Sequence, residues 1–414
     1  MLYRLKWKLA RLLKRVLIKW ARRPVRNPGP EQVTIMLVSA WGMGGTIRAA
    51  YNLAGYLADH RDVEIVSVWR KRDEPFFGSF PEGVKVSALD DVRPSARPKG
   101  LTGLAYRVLT RLPSVLVHPS ERYARTMHNL WTDILMIRRL RGRTGWLITT
   151  RPGLNLISAE LQLPGLTLIG LEQMHLGHHT KLLRKSMPSR YPKLDAFVVL
   201  TDGHREQYRQ HLKGRGRIEV IPNTVREMEG PPADLTAKTI FTAGRFFYQK
   251  GFELLIEAYA PLAAEHPDWR VRICGHGKLQ KAHEEQIARL GVGDAISLEP
   301  PTSRIGEDMG AASIFVLSSR FEGFPLILLE AMSKGMAVVA YDCPTGPAEI
   351  ISDHENGLLV PAEDVEGLRA ALREMIESEE LRHRCAPAAV ETAEGFKMHA
   401  IGPRWDALLD DLRG

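Results

Sequence analysis

Ile314-Phe-Val-Leu-Ser-Ser-Arg-Phe-Glu-Gly-Phe-Pro-Leu-Ile-Leu-Leu-Glu330 is the stretch on which the fold turns. Ile314–Ser318 is a short, mostly apolar run, as a strand buried on both faces requires. Gly323 gives the backbone room, Pro325 suits a first helical position, and the residues after it read as a helix. Strand, polar loop and helix make one step of an α/β repeat. Glu322 in the loop and Glu330 about one turn into the helix can line one cleft, while free N–H groups at the helix start face an anion. Carboxylates in such places are suited to accept hydrogen bonds from ribose and sugar hydroxyls.

The alternation extends in both directions. Upstream, a strand at Thr239–Thr242 runs into Ala243-Gly244-Arg245, then Lys250-Gly251 and a helix over about Gly251–Ala264. Ligands of open α/β sheets sit outside the carboxyl ends of strands. A forked guanidinium and a mobile ammonium five residues apart at that position suit the two phosphates of a diphosphate. Further strands are expected at Arg270–Cys274 and Ala337–Tyr341, with a helix over about Leu279–Leu290 between them. Residues 226–238 are polar and turn-rich and read as a linker.

Before that linker lies a second series, with strands expected at Val33–Ser39, Val63–Val68, Trp146–Thr149, Leu166–Gly170, Ala196–Leu200 and Ile218–Ile221. The first runs into Gly42-Met43-Gly44-Gly45, where backbone N–H groups can approach an anion ahead of a helix over Ile47–Ala58. Two blocks of alternating strand and helix imply two α/β domains facing each other. Arg151 follows another strand end and is a candidate for an anionic acceptor.

Composition sets outer bounds. The chain has 414 residues, 44% hydrophobic and 25% charged, which excludes disordered and low-complexity classes. Its three cysteines, Cys274, Cys343 and Cys385, form neither a paired framework nor a metal-ligand spacing, which favours a reducing cytoplasm. The net charge of +9 is local: residues 1–30 hold ten Lys or Arg and no acid, so the remainder is close to neutral. That distribution argues against a nucleic-acid partner. A second basic zone, residues 93–151, holds twelve Lys or Arg against Glu121 and Asp133.

Residues 1–23 read as one amphipathic helix, with Leu2, Leu5, Leu9, Leu12, Leu13, Val16 and Trp20 on one face. Arg4, Lys8, Arg11, Arg15, Lys19, Arg22 and Arg23 crowd the other, and Pro24 and Pro28 end the helix. Charges interrupt the apolar positions too often for a transmembrane span or a secretory signal. The expectation is a helix lying in the interface of an anionic membrane, the alternative being a helix packed on the protein's own core.

Glu322 and Glu330 in a Glu-x7-Glu element, Gly244-Arg245 with Lys250-Gly251, the early Gly-Gly loop, Ile221-Pro222-Asn223 and residues 343–361 together resemble the retaining family 4 glycosyltransferases. The resemblance covers the chain from about Val33 onward. It implies the GT-B fold, two Rossmann-like domains facing across a cleft. It implies domains at 31–228 for the acceptor and 236–395 for a nucleotide-diphosphate sugar. It adds a C-terminal helix over 396–414 returning to the first domain; residues 1–30 lie ahead of the resemblance and stay, on their own pattern, the expected membrane-association helix and linker. Arg245 and Lys250 would hold the donor diphosphate, Glu322 the sugar and Glu330 the ribose. Gly44 and Gly45 would border the phosphates, and Gly323, Phe324, Pro325 and Leu326 would complete the donor site.

Relatives of that family often carry Glu-His where this chain has Glu172-Gln173-Met174-His175, so either Gln173 replaces the histidine beside the reacting sugar or His175 serves from a shifted position. No cofactor and no catalytic metal are implied, and the chain contains no Asp-x-Asp element. The implied function is transfer of a hexose, with uridine the commonest base, to a membrane-associated, lipid-linked or polyanionic glycan acceptor. The setting would be bacterial cell-surface polysaccharide synthesis, at the inner face of the cell membrane. The rival readings are an inactive sugar-nucleotide-binding or scaffold protein, and a GT-B phosphorylase or epimerase.

Overall fold

The computed structural model describes residues 2–121 and 126–413, with side chains described from Lys8 onward. The chain divides into two compact units, one of residues 1–221 with 402–414 and one of residues 222–401.

The first unit begins with helix α1 (Leu2–Ala21). There follow β1 (Glu31–Leu37), α2 (Gly45–Ala58), β2 (Val63–Arg70), β3 (Lys85–Asp91), α3 (Gly100–Leu109) and α4 (Leu130–Leu140). It continues through β4 (Thr144–Thr149), α5 (Pro152–Leu161), β5 (Leu166–Leu171), α6 (Lys181–Ser186), β6 (Ala196–Val199), α7 (Asp202–His211) and β7 (Ile218–Val220). All seven strands are parallel, in the order β3-β2-β1-β4-β5-β6-β7. Ile35, Ile65, Ile148 and Ile169 lie on four adjacent strands and are wholly buried. Each such side chain contributes about 1.5–3 kcal/mol by leaving water.

The second unit contains β8 (Thr239–Arg245), α8 (Phe252–Glu265), β9 (Arg270–His276), α9 (Gln280–Leu290), β10 (Ile296–Glu299), α10 (Ile305–Gly310), β11 (Ile314–Leu317) and α11 (Leu326–Ser333). It closes with β12 (Ala337–Asp342), β13 (Leu358–Pro361), α12 (Val365–Glu377) and α13 (Glu379–Glu394). Its six strands, again parallel, run β10-β9-β8-β11-β12-β13. Helix α14 (Met398–Asp411) brings residues 402–413 into the first unit, where Tyr56 donates to Asp406 at 2.7 Å and Trp146 Nε1 donates to the Leu409 carbonyl at 3.0 Å.

Both sheets reverse direction of strand order once, between β1 and β4 and between β8 and β11. The loops leaving those strands are where a doubly wound sheet presents ligand-binding groups. The loop after β1, expected to be followed by a helix from Ile47, enters α2 already at Gly45.

Strands β3, β10 and β13 lie outside the expected set; in β3 only Asp90 of seven residues is buried and the pattern carries little apolar signal. Two expectations need correction. Residues 226–238 are not a free linker. Arg226 reaches Glu330 at 3.1 Å, the Lys334 ammonium bonds the Glu229 and Gly230 carbonyls at 3.1 and 2.7 Å, and the division of the chain falls earlier, after Ile221. The apolar face expected to stay together on α1 is split: Leu13 and Trp20 pack on the core beside Leu17 and Ala21, while Leu9, Leu12 and Val16 are exposed. Leu2, Arg4 and Leu5 lie outside the residues whose side chains are described. Among the described residues, no helix is long and apolar enough to cross a membrane.

Candidate functional site

The second unit gathers charge at the carboxyl ends of β8 and β11. Strands β8 and β9 approach there with glycine against glycine: a Cβ on Gly275 would stand 1.8 Å from the Gly244 carbonyl oxygen. Beyond Arg245 the chain turns through Phe247 to Lys250 and enters α8 at Gly251, whose φ of 59° is left-handed. A Cβ on Gly251 would meet the Ser318 carbonyl oxygen at 2.2 Å, so glycine lets this loop lie directly on the end of β11. Ser318 Oγ donates to the Lys250 carbonyl at 3.0 Å, and the Arg320 N–H donates to the Gln249 carbonyl at 2.8 Å. These bonds fix where Lys250 stands.

Its ammonium donates to Glu322 Oε1 at 2.7 Å, and Ser319 Oγ donates to the same oxygen at 2.6 Å. Glu322 is buried, and its own N–H donates to the Pro344 carbonyl at 3.0 Å. The neighbouring Cys343 thiol is pushed up to about 12, by burial first and then by the Glu322 charge. Arg245 is exposed, its guanidinium 5.4 Å from the Phe247 ring. Arg320 braces the loop from behind, bonding the Tyr248 carbonyl at 2.9 Å and Glu363 at 2.7 Å and pairing with Glu253.

Helix α11 then begins at Leu326. Pro325 sits one residue earlier than expected, at the N-cap, with no side chain capping the helix. Gly323, Phe324 and Pro325 are buried and Leu326 is half-buried; Phe324 packs on Phe396 at 5.7 Å. Glu330 is buried on α11 and accepts from Arg226 Nε at 3.1 Å. The second unit therefore brings Lys250, Glu322 and Ser319 into direct contact, and Arg245 and Glu330 arise from elements flanking them. Ser319, Gln249 and Arg226 escaped sequence reasoning. The partners of Gln249 and Arg226 lie far away in the chain, and Ser319, three residues before Glu322, carries no motif of its own.

In the first unit the polar groups at strand ends bond chiefly to one another. Gly44 caps α2 at φ 148°, and Gly45, exposed, is its first residue. Arg151 pairs with Glu121 at 3.1 Å, and the other Glu121 oxygen accepts from the Gly153 N–H at 3.1 Å, so the proposed acceptor cation is already matched by a buried carboxylate. Glu172, 1% exposed, accepts from Tyr191 at 2.5 Å and Asn155 at 3.0 Å and lies 3.3 Å from His179 Nε2. Burial and the Glu172 charge push both Tyr191 and Tyr208 well above the ordinary tyrosine range.

Gln173 and His175 follow on this anchored segment, both half-buried. His175 is held below its ordinary value by burial and by His178 and His179, so near neutral pH its ring is uncharged and able to accept or donate a bond. Among the described residues no three His, Cys, Asp or Glu are grouped to hold a metal ion.

With this geometry in place, residues 225–392 match the family model described as glycosyl transferases group 1. The chain is 37% identical over 92% of its length to an exopolysaccharide phosphotransferase of Streptomyces coelicolor, of which the matched region spans 41%. It is 30% identical over 41% of its length to an amylovoran biosynthesis glycosyltransferase of Erwinia amylovora, spanning 48% of that protein. Among solved structures, a mutant of S. aureus TarM bound to fondaparinux, alpha-GlcNAc-glycerol and UDP superposes with a TM-score of 0.71 at 15% identity, covering 92% of this chain and 100% of that one. The pneumococcal O-GlcNAc transferase GtfA, in complex with UDP and GlcNAc, gives 0.71 at 14%, covering 92% and 99%. The fold is that of these GT-B proteins: two parallel-sheet, Rossmann-like domains.

Proposed function

We propose that this chain is a retaining glycosyltransferase that moves a sugar from a nucleotide diphosphate, uridine being the first base to try, to a glycan acceptor in bacterial polysaccharide synthesis. The observation that carries the reading is the Lys250–Glu322–Ser319 contact at the ends of β8 and β11, with Arg245 beside it. A cation and a carboxylate that neutralise each other in a nearly buried place are poised to exchange partners. The arriving diphosphate takes the Lys250 ammonium, and the sugar hydroxyls take the Glu322 oxygens.

The family 4 resemblance and the similar proteins found with UDP support the same assignment. The bond from the sugar to the diphosphate oxygen breaks, and the acceptor oxygen forms the new bond on the same face. The acceptor's proton passes to the leaving diphosphate. Arg245 and Lys250 stabilise the charge that develops there, with no catalytic metal called for. Glu330 accepts from the ribose, Gly44 and Gly45 border the phosphates, and His175 or Gln173 faces the transferred sugar. The basic, partly apolar α1 holds the enzyme peripherally at an anionic membrane, where a lipid-linked or polyanionic acceptor is found.

The test is thermal unfolding with UDP, GDP, ADP and TDP, for wild type and for Arg245→Ala/Lys250→Ala. A nucleotide at one hundred times its Kd stabilises the fold by about 2.7 kcal/mol. One nucleotide shifting only wild type supports the assignment and names the base. Absence of any shift turns the reading toward a scaffold.

A further inference from the structure

Helix α3 carries an apolar face that nothing in its own unit covers. Leu101, Leu104 and Val108 are 88%, 58% and 52% exposed, and Leu112, one turn beyond the helix, is exposed too. The spacing of three and four residues puts Leu101, Leu104 and Val108 on one stripe, and Leu112 follows past the helix end. The opposite side is firmly seated. Gly103 is buried so closely that a Cβ would stand 2.5 Å from the Pro98 carbonyl oxygen, Tyr106 meets Trp131 of α4 edge-on at 5.6 Å, and Leu109 packs on the core. The outward stripe is therefore presented by a helix whose orientation is fixed, and apolar residues in series on a surface mark a binding face.

Helix α1, which carries its own outward stripe, packs on the same helix as α3. Both helices pack on α4, and Arg141 at the end of α4 bonds the Arg23 carbonyl at 3.2 Å. Lys14 acts electrostatically on Asp133 at the other end, so α1 runs alongside α4 in the same direction. That register brings Leu9 and Leu12 toward the level of Leu112, which bonds Leu130 through its carbonyl at 3.0 Å.

On the two helices themselves the charge has one sign. Lys8, Arg11, Arg15 and Lys19 on α1 and Arg97, Lys99, Arg107 and Arg111 about α3 are all exposed. Residues 92–120 contain no Asp or Glu. A groove of about 450 Å³ along α1 is lined by Arg15, Lys19, Arg22 and Arg23 with Ile18 and Pro24. Apolar side chains ringed by cations fit an anionic lipid leaflet, where each cation near the surface contributes about 1 kcal/mol.

We propose that α3 and the outward stripe of α1 form one lipid-binding surface, α3 being its second foot. Leu101, Leu104, Val108 and Leu112 enter the acyl boundary, while Arg107, Arg111 and the α1 cations meet headgroup phosphates. The inference extends the membrane side of the proposed function and is independent of the donor site.

Sedimentation of the full chain with phosphatidylglycerol/phosphatidylcholine vesicles tests it, using Leu104→Glu/Val108→Glu, Leu12→Glu/Val16→Glu and the four combined. The wild type is expected to sediment with these vesicles and not with pure phosphatidylcholine. Each pair should lower the partition coefficient about tenfold or more, and the combination should abolish binding. Unchanged thermal unfolding, and an unchanged nucleotide response, keep a lipid defect separate from misfolding and from failure of the donor assignment. In a Leu104→Trp variant, emission should shift to the blue on adding anionic vesicles. Wild type remaining in the supernatant, or Leu104→Glu/Val108→Glu sedimenting like wild type, overturns the proposal. So does a stripe-dependent dimer without vesicle binding, which assigns the face to a second copy.

Discussion

The two sheets share a winding and a place for polar groups, yet they use those groups differently. At the strand ends of the first, Glu172 and Arg151 are matched by partners within their own unit: Tyr191, Asn155 and His179 for one, Glu121 for the other. At the strand ends of the second, Lys250 and Glu322 form an ion pair with each other, Ser319 also donating to Glu322, and Arg245 is exposed. A buried hydrogen-bonded network rigidifies the loop it anchors. A nearly balanced ion pair at a loop crossing is easier to exchange for a ligand. The comparison teaches that identical topology leaves open which strand ends brace the fold and which bind.

The sharpest way to break it is to treat both places alike. Glu172→Leu leaves the Tyr191 hydroxyl and an Asn155 N–H without their acceptor and is expected to cost about 3 kcal/mol of stability in urea unfolding. Nucleotide affinity should persist wherever the protein is still folded. An unchanged unfolding midpoint would mean that Glu172 is held for chemistry instead.

At the opposite end of the first sheet, Glu64 is another buried carboxylate matched internally. Burial raises its carboxyl, but bonds from Ser87, Arg139 and Arg143 outweigh that and hold it below its ordinary value. Such a group stabilises the fold fully above the unfolded value, and that contribution disappears as pH falls through the lowered folded one. Glu64→Gln should therefore lose about 2 kcal/mol at pH 7, with the gap to wild type closing as pH falls below the ordinary carboxylate range in denaturant titrations. A gap independent of pH would remove the charge from the explanation.

Lys250→Ala addresses the second unit. It should lower turnover at least about tenfold, ~1.4 kcal/mol of barrier, with a smaller change in thermal unfolding. Near-normal turnover in a sugar-transfer assay would take Lys250 out of the mechanism. Arg226→Ala should have the mildest effect, below about 1 kcal/mol on either stability or nucleotide affinity, because its pair with Glu330 is partly exposed. A larger loss of affinity, measured by calorimetry, would make Arg226 the residue that orients Glu330.

Much of this was legible in the chain. The runs Ile314–Leu317 and Ala196–Val199 are apolar throughout because both of their faces are covered, and such runs announce parallel strands. Gly251 and Pro325 punctuate turns that backbone geometry requires. The strand Lys85–Asp91 stayed hidden because it lies at the sheet edge with few buried residues. The contact of Lys250 with Glu322 spans 72 residues and exists only because β8 and β11 are neighbours at the point where strand order reverses. Local pattern carries no such information. The N-terminal helix has one apolar arc in its sequence, but packing on the core claims Leu13 and Trp20 of that arc, a division that periodicity alone does not make.

Helix α14 has a consequence for biosynthesis. Its residues 402–413 complete the first unit, with Trp146 bonded to Leu409 and Tyr56 to Asp406, yet they are translated after the whole of residues 222–401. At ~5–20 residues per second, the ribosome takes roughly 10–40 s over that stretch. For that interval the first sheet is made but lacks one of its covering helices, with Trp146 and Tyr56 exposed to whatever chaperones attend nascent chains.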